Sequence, residues 1–222
     1  MKTIAIALTL FFTVVCHLQA QKDSENAQRA TGSYVTVSPL RLLDFHAPRL
    51  RAGYIQRIAD HWKVGLDLGL GAGTGLLSRR ESEDDFLWEV RPELYYILKP
   101  EARTLKYLSA EFFYIGQSNT LLNDVYDTED GMELVFDRAD YERQKYGMHL
   151  KFGLFLQLGR HWGLNCYGGL GFRWTTISFS NVINVRENTT RHRGHGYETI
   201  YDAERNDFRP NPTVGVKLFY RL

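Results

Sequence analysis

The sequence predicts an all-β chain, an eight-stranded antiparallel up-and-down transmembrane β-barrel. Three observations predict it. Apolar and polar residues alternate over long runs, which is the two-residue period of a strand. The runs are even in number, and their connections alternate between short and long, except at the first, Asp44–Pro48. Aromatic residues gather at the ends of the apolar faces, where rings favour the two borders of a bilayer. The clearest run is Tyr146–Trp174, a long hairpin about the short turn Gly159-Arg160-His161. One face carries Tyr146, Met148, Leu150, Phe152, Leu154, Leu156 and Leu158, then Trp162, Leu164, Cys166, Leu170, Phe172 and Trp174. The other carries Gly147, His149, Lys151, Gly153, Gln157, Gly163, Asn165, Gly169, Gly171 and Arg173.

Three segments divide the chain. Lys2, the apolar run Ile4–Val15 and Leu18-Gln19-Ala20 make the three-part pattern of a secretory signal, so residues 1–20 are expected to be removed near Ala20. The run is shorter than the ~20 residues a spanning helix needs. Cys16 follows Val15, where a lipidation site wants a small residue. Residues 21–32 are polar and form a periplasmic lead-in; residues 33–222 form the barrel. Cleavage leaves Cys166 as the lone cysteine, so no internal disulfide is expected. Lys and Arg number 27 against 26 Asp and Glu, which leaves no basic field to attract nucleic acid. A mean hydropathy of -0.33 argues against a membrane helix bundle but permits a barrel, where only alternate residues meet lipid.

Taken in order, the first strand runs from about Ser33 to Leu43, with Pro39 at an irregularity. Asp44–Pro48 turns into a second strand, Arg49–Ile58, and Ala59-Asp60-His61 turns again. The third, Trp62–Gly73, sets Trp62, Val64, Leu66, Leu68 and Leu70 against Lys63, Gly65, Asp67, Gly69 and Gly71. Those glycines are not a phosphate loop, because no helix pattern or P-loop lysine follows. Thr74–Asp85 reads as a polar loop. The fourth strand, from Phe86 to Leu98, faces Trp88, Val90, Leu94 and Tyr96 outward and Glu89, Arg91, Glu93 and Tyr95 inward. After the turn Lys99–Arg103, the fifth (Leu105–Gly116) opposes Leu108, Ala110, Phe112 and Tyr114 to Ser109, Glu111 and Phe113. Gln117–Asp140 and Ser178–Asn206 read as long outer loops around the sixth and seventh strands, and Pro212–Leu222 is the last. Asp60-His61-Trp62 and Arg160-His161-Trp162 occupy equivalent turn-to-strand positions, which reads as shared turn chemistry.

A soluble lipocalin-like barrel would also alternate, with its apolar face inside. The polar face here is rich in glycine, which suits a crowded lumen better than an exposed strand surface. Trp62, Tyr96, Trp162 and Tyr220 would form one membrane girdle; Trp88, Tyr114, Tyr146 and Trp174, with Phe86, would form the other. The membrane reading is therefore preferred.

The strand Glu89-Val90-Arg91-Pro92-Glu93-Leu94-Tyr95-Tyr96, the opening Val37-Ser38-Pro39-Leu40-Arg41-Leu42-Leu43 and the His-Trp turns resemble the small outer-membrane β-barrels of unknown function from Bacteroidota. These are similar in architecture to the transmembrane domain of OmpA-type proteins. The resemblance covers essentially all of residues 33–222 and implies a bacterial outer-membrane location after cleavage. It implies contact with outer-membrane lipid and lipopolysaccharide, and recognition by the barrel-assembly machinery through the C-terminal strand. Such signals more often end in Phe than in Leu222, so Leu218 and Tyr220 would carry the recognition. No cofactor is implied.

The expected lumen collects Arg51, Lys63, Arg91, Lys151, Arg173, Lys217 and His149 with Asp67, Glu89, Glu93 and Glu111. Eight strands leave room only for side chains, and mixed charges there should pair and plug the space. The expected role is structural or adhesive, through the outer loops, without catalysis. Lipid A deacylases, acyltransferases and proteases use related scaffolds, so a lipid-modifying hydrolase or acyltransferase is the alternative. Ser178-Phe179-Ser180-Asn181 lacks the histidine a deacylase element would carry. His192 and His195 lack the ligand spacing of a metal site. A narrow pore is the third reading.

Overall fold

In a computed structural model of the protein, residues 32–44, 47–72, 81–102, 104–127, 133–187 and 204–222 are described. They are almost entirely antiparallel strand: β1 (Tyr34–Val37), β2 (Arg49–Arg57), β3 (Trp62–Gly71), β4 (Glu81–Ile97), β5 (Leu105–Asp127), β6 (Glu133–Gln157), β7 (Trp162–Ile183), β8 (Arg186–Glu187), β9 (Arg205–Pro210) and β10 (Thr213–Arg221). Neighbours along the chain pair from β1 to β7, and β7 and β1 both pair with β10. The sheet thus closes on itself as a ring of eight strands. Residues 1–31, which hold the signal assigned to 1–20 and all but the last residue of the lead-in assigned to 21–32, lie outside the described residues, as do the histidines at 192 and 195.

The two extra strands continue lanes already in the ring. β10 pairs with β7 as far as Gly169, and β9 takes over from Phe172 to Ile177. Between them, Asn211 donates its backbone N–H to Gly171 O (2.8 Å), and Pro212, without an N–H, cannot continue the ladder. β7 pairs with β6 up to Ile183, and β8 follows it against Leu134 and Val135.

Four expected boundaries are corrected. The first strand ends at Val37, not Leu43. Pro39 opens a 3-10 helix, Pro39–Leu43, because a proline suits a first helical position but removes a ladder donor. The expected outer loop Gln117–Asp140 is mostly strand, since β5 and β6 stay in register from Leu105↔Phe155 to Asp127↔Glu133. The start of Ser178–Asn206 is likewise strand, and β4 begins at Glu81 within the expected loop Thr74–Asp85. This extension has its own apolar cluster of Leu121, Phe136, Ala139, Tyr141, Ile177 and Phe179.

Short turns connect β2 to β3, β4 to β5 and β6 to β7, all at one end of the ring, called here the near end. Two of these corners match in detail. Ile58 and Ala59 both donate to Trp62 O, as Leu158 and Gly159 donate to Trp162 O. His61 Nδ1 meets Ile97 O at 2.7 Å, and His161 Nδ1 meets Arg221 O at 3.0 Å. Each imidazole stacks on a tyrosine, Tyr96 or Tyr220, which also takes the edge of Trp62 or Trp162. At the far end Trp88 packs on Tyr114, and Tyr146 on Trp174.

Candidate functional site

Strand alternation sends one set of side chains into the ring and leaves the other outside. The outside set is apolar and open to its surroundings: Leu68 is 56% exposed, Leu150 63%, Leu170 73% and Val214 77%. The inside set is buried and largely polar. It falls into three tiers.

The near-end tier is aromatic. Tyr34, Ile55, Tyr95, Ile97, Leu105, Tyr107, Phe155, Tyr167 and Phe219 form one buried cluster drawn from seven of the eight ring strands. Phe155 is its hub, with ring centroids 5.0 to 6.1 Å from Tyr34, Tyr95, Tyr107 and Phe219. Space for these rings comes from glycine on facing strands. A Cβ at Gly153 would meet the Tyr107 ring, and one at Gly215 the Tyr167 ring. Tyr107 donates its hydroxyl to Asn165 Oδ1 (2.6 Å). Lys63, expected in the charge network, lies here instead; its ammonium donates to Gly32 O (2.8 Å) and sits 4.4 Å from the Tyr34 ring centre.

The middle tier is ionic. Glu89 is shared by three arginines: Arg51 Nε, Arg49 Nε (3.1 Å) and Arg91 Nε (3.2 Å). Arg91 reaches across to Glu111 (2.9 Å), which also takes Lys151 (2.8 Å) and His149 Nδ1 (3.0 Å). Lys151 bridges on to Glu93 (2.8 Å), and Lys217 joins Glu93 (3.5 Å) to Asp67 (2.6 Å). Hydroxyls complete Glu93, with Tyr95 donating at 2.7 Å and Ser109 at 2.6 Å. Arg49 also closes outward on Asp44 (3.2 Å). Asp44, Asp67, Glu89, Glu93 and Glu111 thus meet Arg49, Arg51, Arg91, Lys151 and Lys217, one cation for each carboxylate. That balance is what makes so many buried charges tolerable.

His149 is fixed at both nitrogens. Asn211 Nδ2 lies 2.8 Å from Nε2, so that nitrogen accepts and Nδ1–H donates to Glu111. The neutral tautomer satisfies both contacts. The ring also stacks on Phe113, centroids 4.8 Å apart. With no space beside it and both nitrogens engaged, it is not placed as a base. Of the expected network, Arg51, Asp67, Glu89, Arg91, Glu93, Glu111, His149, Lys151 and Lys217 are brought together, while Lys63 and Arg173 are not. Arg49, Asp44, Tyr95 and Ser109 join it without having been expected there.

The far-end tier is cationic. Arg143 and Lys145 on β6 and Arg173 on β7 face inward beyond the ionic layer, beside Gln117, Asn119 and Thr175. At the edge of this tier, Ser178 and Ser180 are exposed opposite Glu142 and Asp140, and Asn181 donates to Asp140 (2.7 Å). None of the described His, Cys, Asp and Glu residues group in threes as a metal site would need. No family model matches the chain, and no curated protein matches it significantly in sequence.

Proposed function

We propose that the ring is a β-barrel spanning the bacterial outer membrane, plugged by its own side chains, with a structural or surface-interaction role and no catalysis. The carrying observation is the inverted burial, with apolar side chains outside and charges inside. No soluble environment rewards that arrangement, since an apolar belt of this extent in water would drive association. Along β3 the outward residues Trp62–Leu70 span about 27 Å of strand, or about 20 Å once tilted, close to the height of a bilayer's apolar band. The Trp62–Tyr96 and Trp162–Tyr220 pairs would border one side of it, and Trp88–Tyr114 and Tyr146–Trp174 the other.

In this reading the near end faces the periplasm, and β10 supplies the edge that the assembly machinery recognises. Lipid and lipopolysaccharide surround the belt. The strand extension built on Leu121, Phe136 and Phe179 would carry any surface contact. The aromatic tier favours a plug over a pore, because rings from strands that are not neighbours, Tyr34 and Phe219 with Phe155, meet across the interior. The test is electrophoresis of membrane-extracted protein before and after boiling. A faster-migrating unboiled band, recovered with the outer-membrane fraction, is expected; its absence overturns the proposal. Step conductances in planar bilayers would overturn the plug, and a mass change in lipid A incubated with the protein would overturn the non-catalytic role.

A further inference from the structure

The two matched corners of the near end share a backbone and differ in charge. Residues 57–62 of the first answer to 157–162 of the second. In the first, Arg57 Nε donates to Ala59 O (3.2 Å), and its guanidinium pairs with Asp60. In the second, Gln157 Nε2 makes the equivalent contact to Gly159 O (2.7 Å) and also reaches Arg160 O (3.0 Å). An amide thus holds the turn, and Arg160 takes the place of the carboxylate. The strand facing each histidine differs as well. Ile97 N donates to His61 O and Arg221 N to His161 O, both at 2.7 Å. Where the first corner buries Ile97, the second holds Arg221, whose Nη2 donates to Arg160 O (2.8 Å). Two cations without a carboxylate side chain replace one ion pair.

Arg160 is fixed at its backbone and free at its side chain. Its carbonyl accepts from both Gln157 and Arg221, while its guanidinium is exposed, with neither hydrogen bond nor ion pair among the described residues. Arg221 commits one nitrogen to that carbonyl, and the carboxylate closing Leu222 pairs with neither arginine. The outer side of the same corner is apolar. Leu158, Trp162, Tyr220 and Leu222 are exposed there, and Tyr220 continues into Leu218 along the outer face of β10. A cationic rim beside exposed rings and leucines matches a molecule with an anionic head and an apolar tail.

We propose that Arg160 and Arg221, with Trp162, hold the phosphodiester of an anionic glycerophospholipid, and that the first corner does not. The two guanidinium groups offer forked donors to the phosphate oxygens, and the Trp162 indole N–H is a donor for the ester level beneath them. Leu158, Tyr220 and Leu222 lie against the acyl chains. The headgroup carries no charge beyond its phosphate, as in phosphatidylglycerol, because an ethanolamine ammonium would face two cations and no carboxylate side chain. Within residues 57–62 Asp60 already neutralises Arg57, so the first corner offers no unpaired guanidinium. His161 is a positioning residue. Its ring stacks on Tyr220, and its carbonyl and Nδ1 both meet the Arg221 backbone, which sets where that guanidinium starts. The site rests on the membrane reading, since it needs the near end to lie at headgroup level.

The test is native mass spectrometry of the detergent-purified full chain titrated with dioleoyl phosphatidylglycerol, with dioleoyl phosphatidylethanolamine and phosphatidylcholine as controls. Retention of one phosphatidylglycerol molecule per chain is expected at concentrations where the zwitterionic lipids are lost. Arg160→Gln, which removes no contact within the chain, and Arg221→Gln should each weaken retention roughly fivefold, the effect of one basic side chain at an anionic membrane surface. Gln157→Arg combined with Arg160→Asp, which gives the second corner the ion pair of the first, should abolish it. Arg57→Gln and Lys99→Gln, elsewhere on the near end, should leave it unchanged. A fast-migrating unboiled band from each variant shows that a lost lipid is not lost folding. Equal retention of the three lipids, or a preference that survives Arg160→Gln with Arg221→Gln, overturns the site. So does a comparable loss with Lys99→Gln, which would mean a diffuse basic rim. Release of the lipid by sn-glycerol 3-phosphate would overturn the lipid source in favour of a soluble phosphate. The boiling assay on the unaltered protein reports separately on the membrane reading: its failure removes both, whereas indifference to lipid with the band intact removes only the site.

Discussion

The aromatic and ionic tiers fill neighbouring slices of one ring by opposite physics. The near-end tier is held by area: Phe155 touches four rings, and small errors of placement can be absorbed by tilting. The middle tier is held by count, since each carboxylate there has a matched cation. Removing a ring leaves a gap; removing a charge leaves an uncompensated ion among buried side chains. The middle tier should therefore be far less tolerant of single substitutions, although the aromatic tier has the larger side chains.

Glu111→Leu is the most severe test of that difference. It strips Arg91, Lys151 and His149 of a shared acceptor at once. Breaking a buried pair by removing one partner costs about 3–5 kcal/mol, and this carboxylate serves more than one. The expected outcome is loss of the folded, fast-migrating form at temperatures where the parent protein keeps it. Glu111→Gln, which keeps an acceptor oxygen, should recover part of the loss. Equal behaviour of the two variants would mean that shape, not charge, holds the middle tier.

The aromatic tier is sharpened by Gly153→Leu. The added side chain must displace Tyr107, whose ring occupies the space where even a Cβ would lie. Overpacking of this kind costs about 1–3 kcal/mol. Urea unfolding followed by tryptophan fluorescence should give a lower midpoint, with a loss smaller than that of Glu111→Leu. A larger loss would reverse the ranking of the tiers.

Parity made the inside and outside of the ring legible in the sequence, because a strand has only two faces and the glycine-rich one had to be crowded. Height along the strand was harder to read. Lys63 and Arg173 share the inner face with Arg51 and Glu89, yet lie toward the ends of the ring, beside Trp62 and Trp174. Adjacency to an end tryptophan did not fix height, because Glu89 follows Trp88 and still meets Arg49, Arg51 and Arg91 in the middle tier. The extension of β5 and β6 was hidden for a different reason. Beyond the apolar belt neither face is uniformly greasy, so acidic residues such as Asp124 and Asp137 mask the apolar set of Leu121, Phe136 and Ala139. Pro39 was visible, but whether it made a bulge or ended the strand depended on which neighbour needed its missing N–H.

Tyr107→Phe separates area from hydrogen bonding within the aromatic tier. The ring stays, while the donor to Asn165 Oδ1 goes. Asn165 is fully buried and its Nδ2 already lacks a partner, so the substitution leaves both ends of the amide unsatisfied. The expected loss is about 1–2 kcal/mol, read as a lower urea midpoint with an unchanged slope. A neutral result would mean that ring packing alone sets the stability of this tier.

The smallest effect is expected at the two matched corners, which differ in exposure more than in geometry. His61 accompanies a part-buried contact to Ile97 O at 2.7 Å, whereas the contact of His161 to Arg221 O at 3.0 Å is exposed. Both imidazoles stack on a tyrosine at 5.4 Å, so the aromatic contribution is nearly matched. His61→Ala should then cost about 1 kcal/mol and His161→Ala about half of that, because water can replace a lost partner only where it reaches. His161 nonetheless anchors the last strand, since Arg221 also donates its backbone N–H to His161 O (2.7 Å). If the β10 edge guides assembly, His161→Ala should lower the yield of folded protein in the membrane more than its thermal stability. Quantifying the fast-migrating band per unit of protein synthesised, for both variants, checks this; equal yields would leave the two corners as interchangeable turns.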